Sequence, residues 1–193
     1  MPKLNWDGND FRKNQDSSGT VADNISRSGN LQQGYSHGSL TEGLVAYYPM
    51  EKGQGEVLHD GALNNIGQIN GANWNGTGQI GNQSLNFDAS SVDKVNLNEI
   101  DRFVEPPISI SFWIRPDSMG DQVIFDHDGR LTISTGTPPT GTTGNDEIGF
   151  GIYDGSSWNN ILSSSKSSGS WYHVVSLYDS TDMRLYVNGS KVG

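Results

Sequence analysis

The stretch Ile108-Ser109-Ile110-Ser111-Phe112-Trp113-Ile114 alternates strictly between two sides. Ile108, Ile110, Phe112 and Ile114 share one side of an extended chain. Ser109, Ser111 and Trp113, followed by Arg115, share the other. A period of two is the pattern of a β-strand with one buried face, because successive side chains point to opposite sides of a sheet. Pro106-Pro107 precedes the run and Pro116-Asp117 follows it. Proline cannot donate to a sheet ladder, so these pairs delimit the strand. A helix would need a period near 3.6, and no such period persists anywhere in the chain.

The same texture recurs from Leu44 onward. Short runs rich in β-branched and aromatic residues are separated by Gly, Asn, Asp and Ser: LVAYYPM, GQINGANW, SLNFD, DKVNL, QVIFD, RLTIS and EIGFGIYD. The chain closes on SWYHVVSLYDSTDMRLYVNGSKVG, which reads as a β-hairpin and the start of a third strand. In it, Asn188-Gly189 is a dipeptide that tolerates positive φ at both central positions of a type I′ turn. Many short strands with turn signals between them predict an all-β, antiparallel two-sheet sandwich. STGTPPTGTTGND, residues 134–146, reads as a long loop of small residues.

Residues 1–42 differ. They are rich in Asn, Asp, Ser, Gly and Gln, and their large apolar residues are isolated. Such a segment cannot bury enough apolar surface to offset its chain entropy alone. It is expected to be a polar N-terminal arm, docking or partly disordered, in front of a sandwich over 43–193. Trp6, Phe11 and Ile25 are its candidate assembly contacts.

The formal net charge of −10 argues against nucleic acid and anionic membrane as partners. Acids outnumber bases 22 to 12 and there is no cysteine, so neither disulfides nor thiolate metal sites are available. No apolar run approaches the ~18 residues of a membrane span. The first residues lack the apolar core of a secretory leader.

Four stretches, in order, carry a resemblance. They are GLVAYYPMEKGQGEVLHDGALNNIGQINGANW, SLNFDASSVDKVNL, ISISFWIRPD and the closing SWYHVVSLYDSTDMRLYVNGSKVG. Together they resemble the laminin-G-like, concanavalin A-like lectin/glucanase jelly rolls over residues 43–193. The resemblance implies a jelly-roll fold, a recognition role outside cells, and contact with glycans or proteins. It also implies further strands after the final hairpin, supplied by more chain or by a neighbouring copy.

The resemblance further implies a structural Ca²⁺ near the opening loop, where Glu51, Asp60, Asn64 and Asn65 are the candidate ligands. Ca²⁺ takes six to eight oxygen donors. Asp60 aligns best with the family's loop Asp, while Gly61-Ala62-Leu63 departs from the usual pattern. Asp126-His127-Asp128-Gly129 has metal-loop chemistry, yet Asp128-Gly129 between two strand runs reads more simply as a hairpin turn.

Glucanases of this architecture need two carboxylates, one as acid and one as nucleophile or base. Glu99-Ile100-Asp101 is the nearest spacing, but it lies in a connection with no third acid in place. The chain therefore reads as non-enzymatic. His173 reads as a core or semi-buried strand residue, and Trp113 as core or subunit interface.

For a ligand, the candidate is the loop YDGSSWNN: Tyr153, Asp154, Trp158, Asn159 and Asn160. Aromatic rings there would stack on a sugar's C–H face while amides and carboxylate bind hydroxyls. The combined expectation is a recognition or adhesion module on the surface of a larger, homo-oligomeric assembly such as a virion of a halophilic host. The alternatives are a carbohydrate-binding module of a secreted or cell-surface protein, and a degenerate glycosidase.

Overall fold

The structure is a computed structural model that describes residues 43–63, 65–88, 90–97, 106–136 and 146–193. Trp6, Phe11, Ile25, Asn64, Glu99 and Asp101 lie outside the described residues, as does the expected arm. The chain divides into two units, 1–47 and 48–193, and every described strand lies in the second.

Among the described residues there is no helix, and the fold is an antiparallel sandwich. Its first sheet contains β6 (Ile108–Ile114), β11 (Tyr172–Tyr178), β12 (Met183–Val187) and β13 (Ser190–Lys191), in the order β13-β12-β11-β6. Its second contains β7 (Gln122–His127), β8 (Leu131–Thr135), β9 (Ile148–Tyr153) and β10 (Trp158–Leu162), as an up-and-down meander. The chain passes from β6 to the second sheet, runs through four strands there, and returns to pair β11 with β6.

The inward faces build one core. Leu131 and Ile133 of β8, Ile148, Phe150 and Ile152 of β9, Val174 of β11, and Leu185 and Val187 of β12 are all buried. Ile108, Ile110, Phe112 and Ile114 pack against them, so the alternation of β6 is oriented as the sequence predicts. Fully burying a side chain such as Ile133 or Phe150 contributes roughly 1.5–3 kcal/mol.

Two smaller sheets precede the sandwich strands in the chain. β1 (Val57–His59), β2 (Ile66–Asn70) and β5 (Lys94–Leu97) form one, and β3 (Asn73–Asn75) with β4 (Ser84–Asn86) forms the other. The run GQINGANW is thus divided: Gly71, at φ +85°, breaks it into β2 and β3. A second apolar cluster of Leu58, Ile69 and Ala72 joins these sheets, with Tyr48, Met50, Trp74, Leu85 and Val95 packed on it. The indole Nε1–H of Trp74 donates to the Gly55 carbonyl at 2.7 Å.

Leu44–Met50, expected as a strand, is extended chain without a ladder. Pro49 has no N–H to donate, and Met50 sits at φ +56°, which ends regular pairing. Its Tyr48 and Met50 serve the second cluster instead. Both expected turns form: Asp128 and Gly129 have φ +47° and +63°, and Asn188 and Gly189 have +52° and +77°. Trp113, expected as core or subunit interface, is not part of the main core. It lies on the outer face of β6, 37% exposed and stacked on His173. His173 is half-buried there, as expected of a strand histidine.

Candidate functional site

At one end of the sandwich, the last inward-facing pair of each sheet forms the floor of an open groove. Tyr178 of β11 pairs with Ile108 of β6, and Leu131 of β8 pairs with Ile152 of β9. These residues, with Arg130, Tyr153 and Asp154, line a space of about 550 Å³. That is within the range of small-molecule sites, and of a size for a sugar unit or two. Arg130 arrives through the β7–β8 turn, where its N–H donates to the His127 carbonyl at 2.8 Å. The Tyr153 N–H donates to the Arg130 carbonyl at 2.8 Å, which ties the two rim residues together. The Arg130 guanidinium has no carboxylate partner among the described residues, while Arg184 of β12 bridges both Asp179 at 3.0 Å and Asp182 at 3.2 Å in the neighbouring β11–β12 turn.

Asp154 organises the β9–β10 turn that forms one wall. Its Oδ1 accepts from the Ser156 N–H (2.8 Å), the Ser156 hydroxyl (2.9 Å) and the Ser157 N–H (2.8 Å). Its Oδ2 accepts from the Asn159 amide at 3.0 Å and the Ser157 hydroxyl at 3.3 Å. The backbone N–H groups of Ser157 and Ser156, then the Ser156 hydroxyl and the Asn159 amide, hold the carboxyl far below the usual carboxylate range. Its acceptor capacity is spent inside the turn.

The five residues expected to bind a ligand therefore divide. Tyr153 and Asp154 line the groove. Asn159 is tied to Asp154. Trp158 and Asn160 lie over Gly151 on the outer face of the sheet, where a Cβ on Gly151 would stand 2.5 Å from Asn160 Oδ1 and 3.3 Å from Trp158 Cε3. The Trp158 ring still approaches Tyr153, with centroids 5.6 Å apart and planes at 49°. Arg130 and Tyr178 escaped sequence reasoning. They come from the β7–β8 turn and the end of β11, and no local spacing marks them as neighbours.

The opening loop is a closed turn. Asp60 is 6% exposed, and its carboxylate accepts from the N–H groups of Ala62 (2.8 Å), Leu63 (3.0 Å) and Asn65 (3.3 Å) and from the Asn65 amide (2.8 Å). Asn65 thus presents a donor to Asp60. Glu51 points elsewhere, with its Oε2 accepting from the Asn82 N–H at 3.3 Å. Among the described residues no three His, Asp or Glu side chains gather closely enough to hold a metal ion. Of the expected Ca²⁺ set, Asp60 and Asn65 thus bond each other, and Glu51 bonds Asn82. Burial, and secondarily the charge of Asp60, raises the pKa of the nearby Tyr48 phenol.

Residues 88–193 match the laminin G-type family model of the concanavalin A-like lectin/glucanases superfamily. The chain belongs to this family. The match covers more than half of the chain and runs from β5 through β13, the whole of the two-sheet sandwich, while 43–87 lie outside it. Comparison with curated proteins and with solved structures gives no match. Membership makes the chain a carbohydrate- or protein-binding type of domain, of a kind typically found outside cells. No helix among the described residues is long and apolar enough to cross a membrane.

Proposed function

We propose that this laminin G-type sandwich is a non-enzymatic recognition module, presented on an outward-facing surface, that takes a glycan in the groove between the β7–β8, β9–β10 and β11–β12 turns. The observation that carries the reading is the groove itself: an apolar floor that includes Tyr178, flanked by Tyr153, with the Arg130 guanidinium, which has no carboxylate partner among the described residues, at the rim. Tyrosine rings offer apolar faces to a pyranose and hydroxyls to its polar edge. A guanidinium offers five N–H donors to ring hydroxyls or a carboxylate.

What supports binding over glycoside hydrolysis is the state of Asp154. Among the described residues it is the carboxylate that lines the groove, and hydrolysis calls for two. Its oxygens are already engaged by turn donors, so it is placed to shape the wall and not to move a proton.

A glycan panel with the full chain tests the reading, followed by calorimetry on the best binder. Tyr153→Ala and Arg130→Ala are each expected to weaken binding at least tenfold, and Trp158→Ala to matter much less. Binding that survives both groove substitutions would sink the groove as the site. Turnover of any glycan on the panel would sink the non-enzymatic reading.

A further inference from the structure

We propose that Asn75 carries an N-linked glycan. Three Asn-X-Ser/Thr triads fall wholly within the described residues: Asn75-Gly76-Thr77, Asn82-Gln83-Ser84 and Asn188-Gly189-Ser190. A fourth, Asn24-Ile25-Ser26, lies outside them. The triad alone is a weak signal in a chain rich in Asn and Ser, because acceptor status also needs an accessible amide and hydroxyl. The three described triads differ in that respect.

At Asn75 the two groups of the triad lie together on an exposed edge. Asn75 ends β3, Gly76 and Thr77 are exposed, and the Thr77 hydroxyl donates to Asn75 Oδ1 at 3.1 Å. The amide nitrogen points away from that bond. The space alongside is open, since a Cβ built on Gly76 meets nothing within 4 Å.

Asn82 is arranged otherwise. Its hydroxyl partner Ser84 donates to the Thr77 carbonyl at 2.9 Å, and the preceding Gly81 is crowded by the Glu51 carboxylate. The Asn188 Oδ1 accepts from the His173 N–H at 2.9 Å and so helps lock the final hairpin. Of the three, Asn75 presents its triad as an acceptor. The site also has a use for a polar cover. The loop between β3 and β4 exposes Ile80 at 68%, and a glycan on Asn75 stands at the base of that loop.

The chemistry is group transfer from an oligosaccharide carried on a polyprenyl phosphate or diphosphate, performed by a membrane-bound transferase. Asn75 Nδ2 bonds to the anomeric carbon. The anomeric C–O bond to phosphate breaks, and the polyprenyl phosphate or diphosphate, according to the donor, leaves with that electron pair. One Nδ2 proton passes to a base of the transferase. The step requires passage to an outward-facing compartment, as the proposed function does. It is independent of the groove, so either idea can fail without the other.

The test is a peptide map of the full chain, isolated from its natural source and cleaved after Lys52 and Lys94, with fragmentation that places any added mass. Hexose or N-acetylhexosamine on Asn75 in most molecules is the expected result. In the same host, Thr77→Ala is expected to lower Asn75 occupancy at least tenfold, Thr77→Ser to retain it, and neither to change Asn82. Asn75 found unmodified, or bearing only the mass gain of deamidation, overturns the proposal. So does sugar on Asn82 or Asn188 with none on Asn75, or occupancy of Asn75 that is indifferent to Thr77→Ala.

Discussion

Trp113 and His173 stack across β6 and β11 on the outer face of the sandwich, with ring centroids 5.0 Å apart and planes inclined by 28°. They are directly opposite in the register, and His173 Nε2 lies 2.9 Å from the Ser111 hydroxyl on the same face. A cross-strand aromatic pair of this kind contributes about 0.5–1.5 kcal/mol beyond the area it buries. The double-mutant cycle of Trp113→Ala and His173→Ala, read by urea denaturation, is expected to show a coupling energy in that range. Additive losses would mean that the two rings share a face without interacting.

Ser176 sits among the apolar residues of the main core. It is 1% exposed, and its hydroxyl has no hydrogen-bond partner among the described residues. A buried donor left unsatisfied costs about 1–3 kcal/mol, so removing it should help. Ser176→Ala is expected to raise stability by about 1 kcal/mol. On the facing position of β12, Leu185→Ala is expected to lower it by about 2–5 kcal/mol, because Leu185 is 0% exposed and leaves a cavity. Urea midpoints at unchanged m-value measure both. A destabilised Ser176→Ala would mean that the hydroxyl has a partner.

These two pairs also show what the sequence can and cannot say. The period of two in β6 is strong enough to place Ile110 inside and Trp113 on the opposite side. It does not tell whether anything covers that opposite side, so Trp113 read as core or subunit interface, and in the single chain it is partly exposed. In β11 both faces carry large residues, and the inward set turned out to include a serine, Ser176. Asn188-Gly189 and Asp128-Gly129 were legible because positive φ at two successive positions admits few residues.

The candidate site was half legible for a chemical reason. Asp, Asn and Ser near an aromatic describe a sugar site and an Asx turn equally well. Asp154 and Asn159 turned out to serve the turn. Arg130 and Tyr178 reach the groove only because two hairpin ends converge, which depends on topology and leaves no mark in local spacing.

The Asp60 turn gives a direct test of the calcium expectation. Among the described residues four donors converge on a carboxylate that is 6% exposed. Hydrogen bonds to a charged acceptor contribute roughly 1.5–3 kcal/mol, and their loss leaves buried N–H groups unpaired. Asp60→Ala is therefore expected to lower the melting temperature by several degrees. Millimolar Ca²⁺ or a chelator is expected to leave it unchanged in the unsubstituted chain. A ligand that binds only the folded state raises apparent stability by mass action, so a Ca²⁺-dependent rise would restore the metal reading.

Gly189 isolates the cost of turn conformation from the cost of contacts. It holds φ +77°, and a Cβ placed on it meets nothing within 4 Å. Gly189→Ala is expected to cost about 1–2 kcal/mol from the left-handed backbone alone. Asn188→Gly keeps the dihedral but removes the bond from Oδ1 to the His173 N–H at 2.9 Å. Hydrogen exchange of the His173 amide should therefore accelerate more in Asn188→Gly than in Gly189→Ala. The reverse order would assign the hairpin's closure to φ preference and not to the side-chain bond.

Asp154 ties the wall of the groove to pH. Its carboxyl is held far below the usual range, chiefly by the Ser157 and Ser156 N–H groups, and Asp179 is lowered by the N–H groups of Asp182 and Thr181 and by Arg184. A carboxyl whose folded pKa lies below its unfolded value of about 3.9 stabilises the fold at all pH above that value, and the contribution disappears as pH falls through the folded pKa. NMR titration should find the Asp154 carboxyl still ionised at pH ~3.5, where an ordinary Asp is largely protonated. The Ser156 and Ser157 amides should stay protected there. Asp154→Asn removes the charge, keeps one acceptor oxygen and introduces an NH₂ facing hydroxyl and N–H donors. In that variant those amides should exchange faster at neutral pH, and glycan binding in the groove should fall with them. If the turn loosens but binding is unchanged, the β9–β10 wall plays no part in recognition, and Tyr178 and Arg130 carry the groove alone.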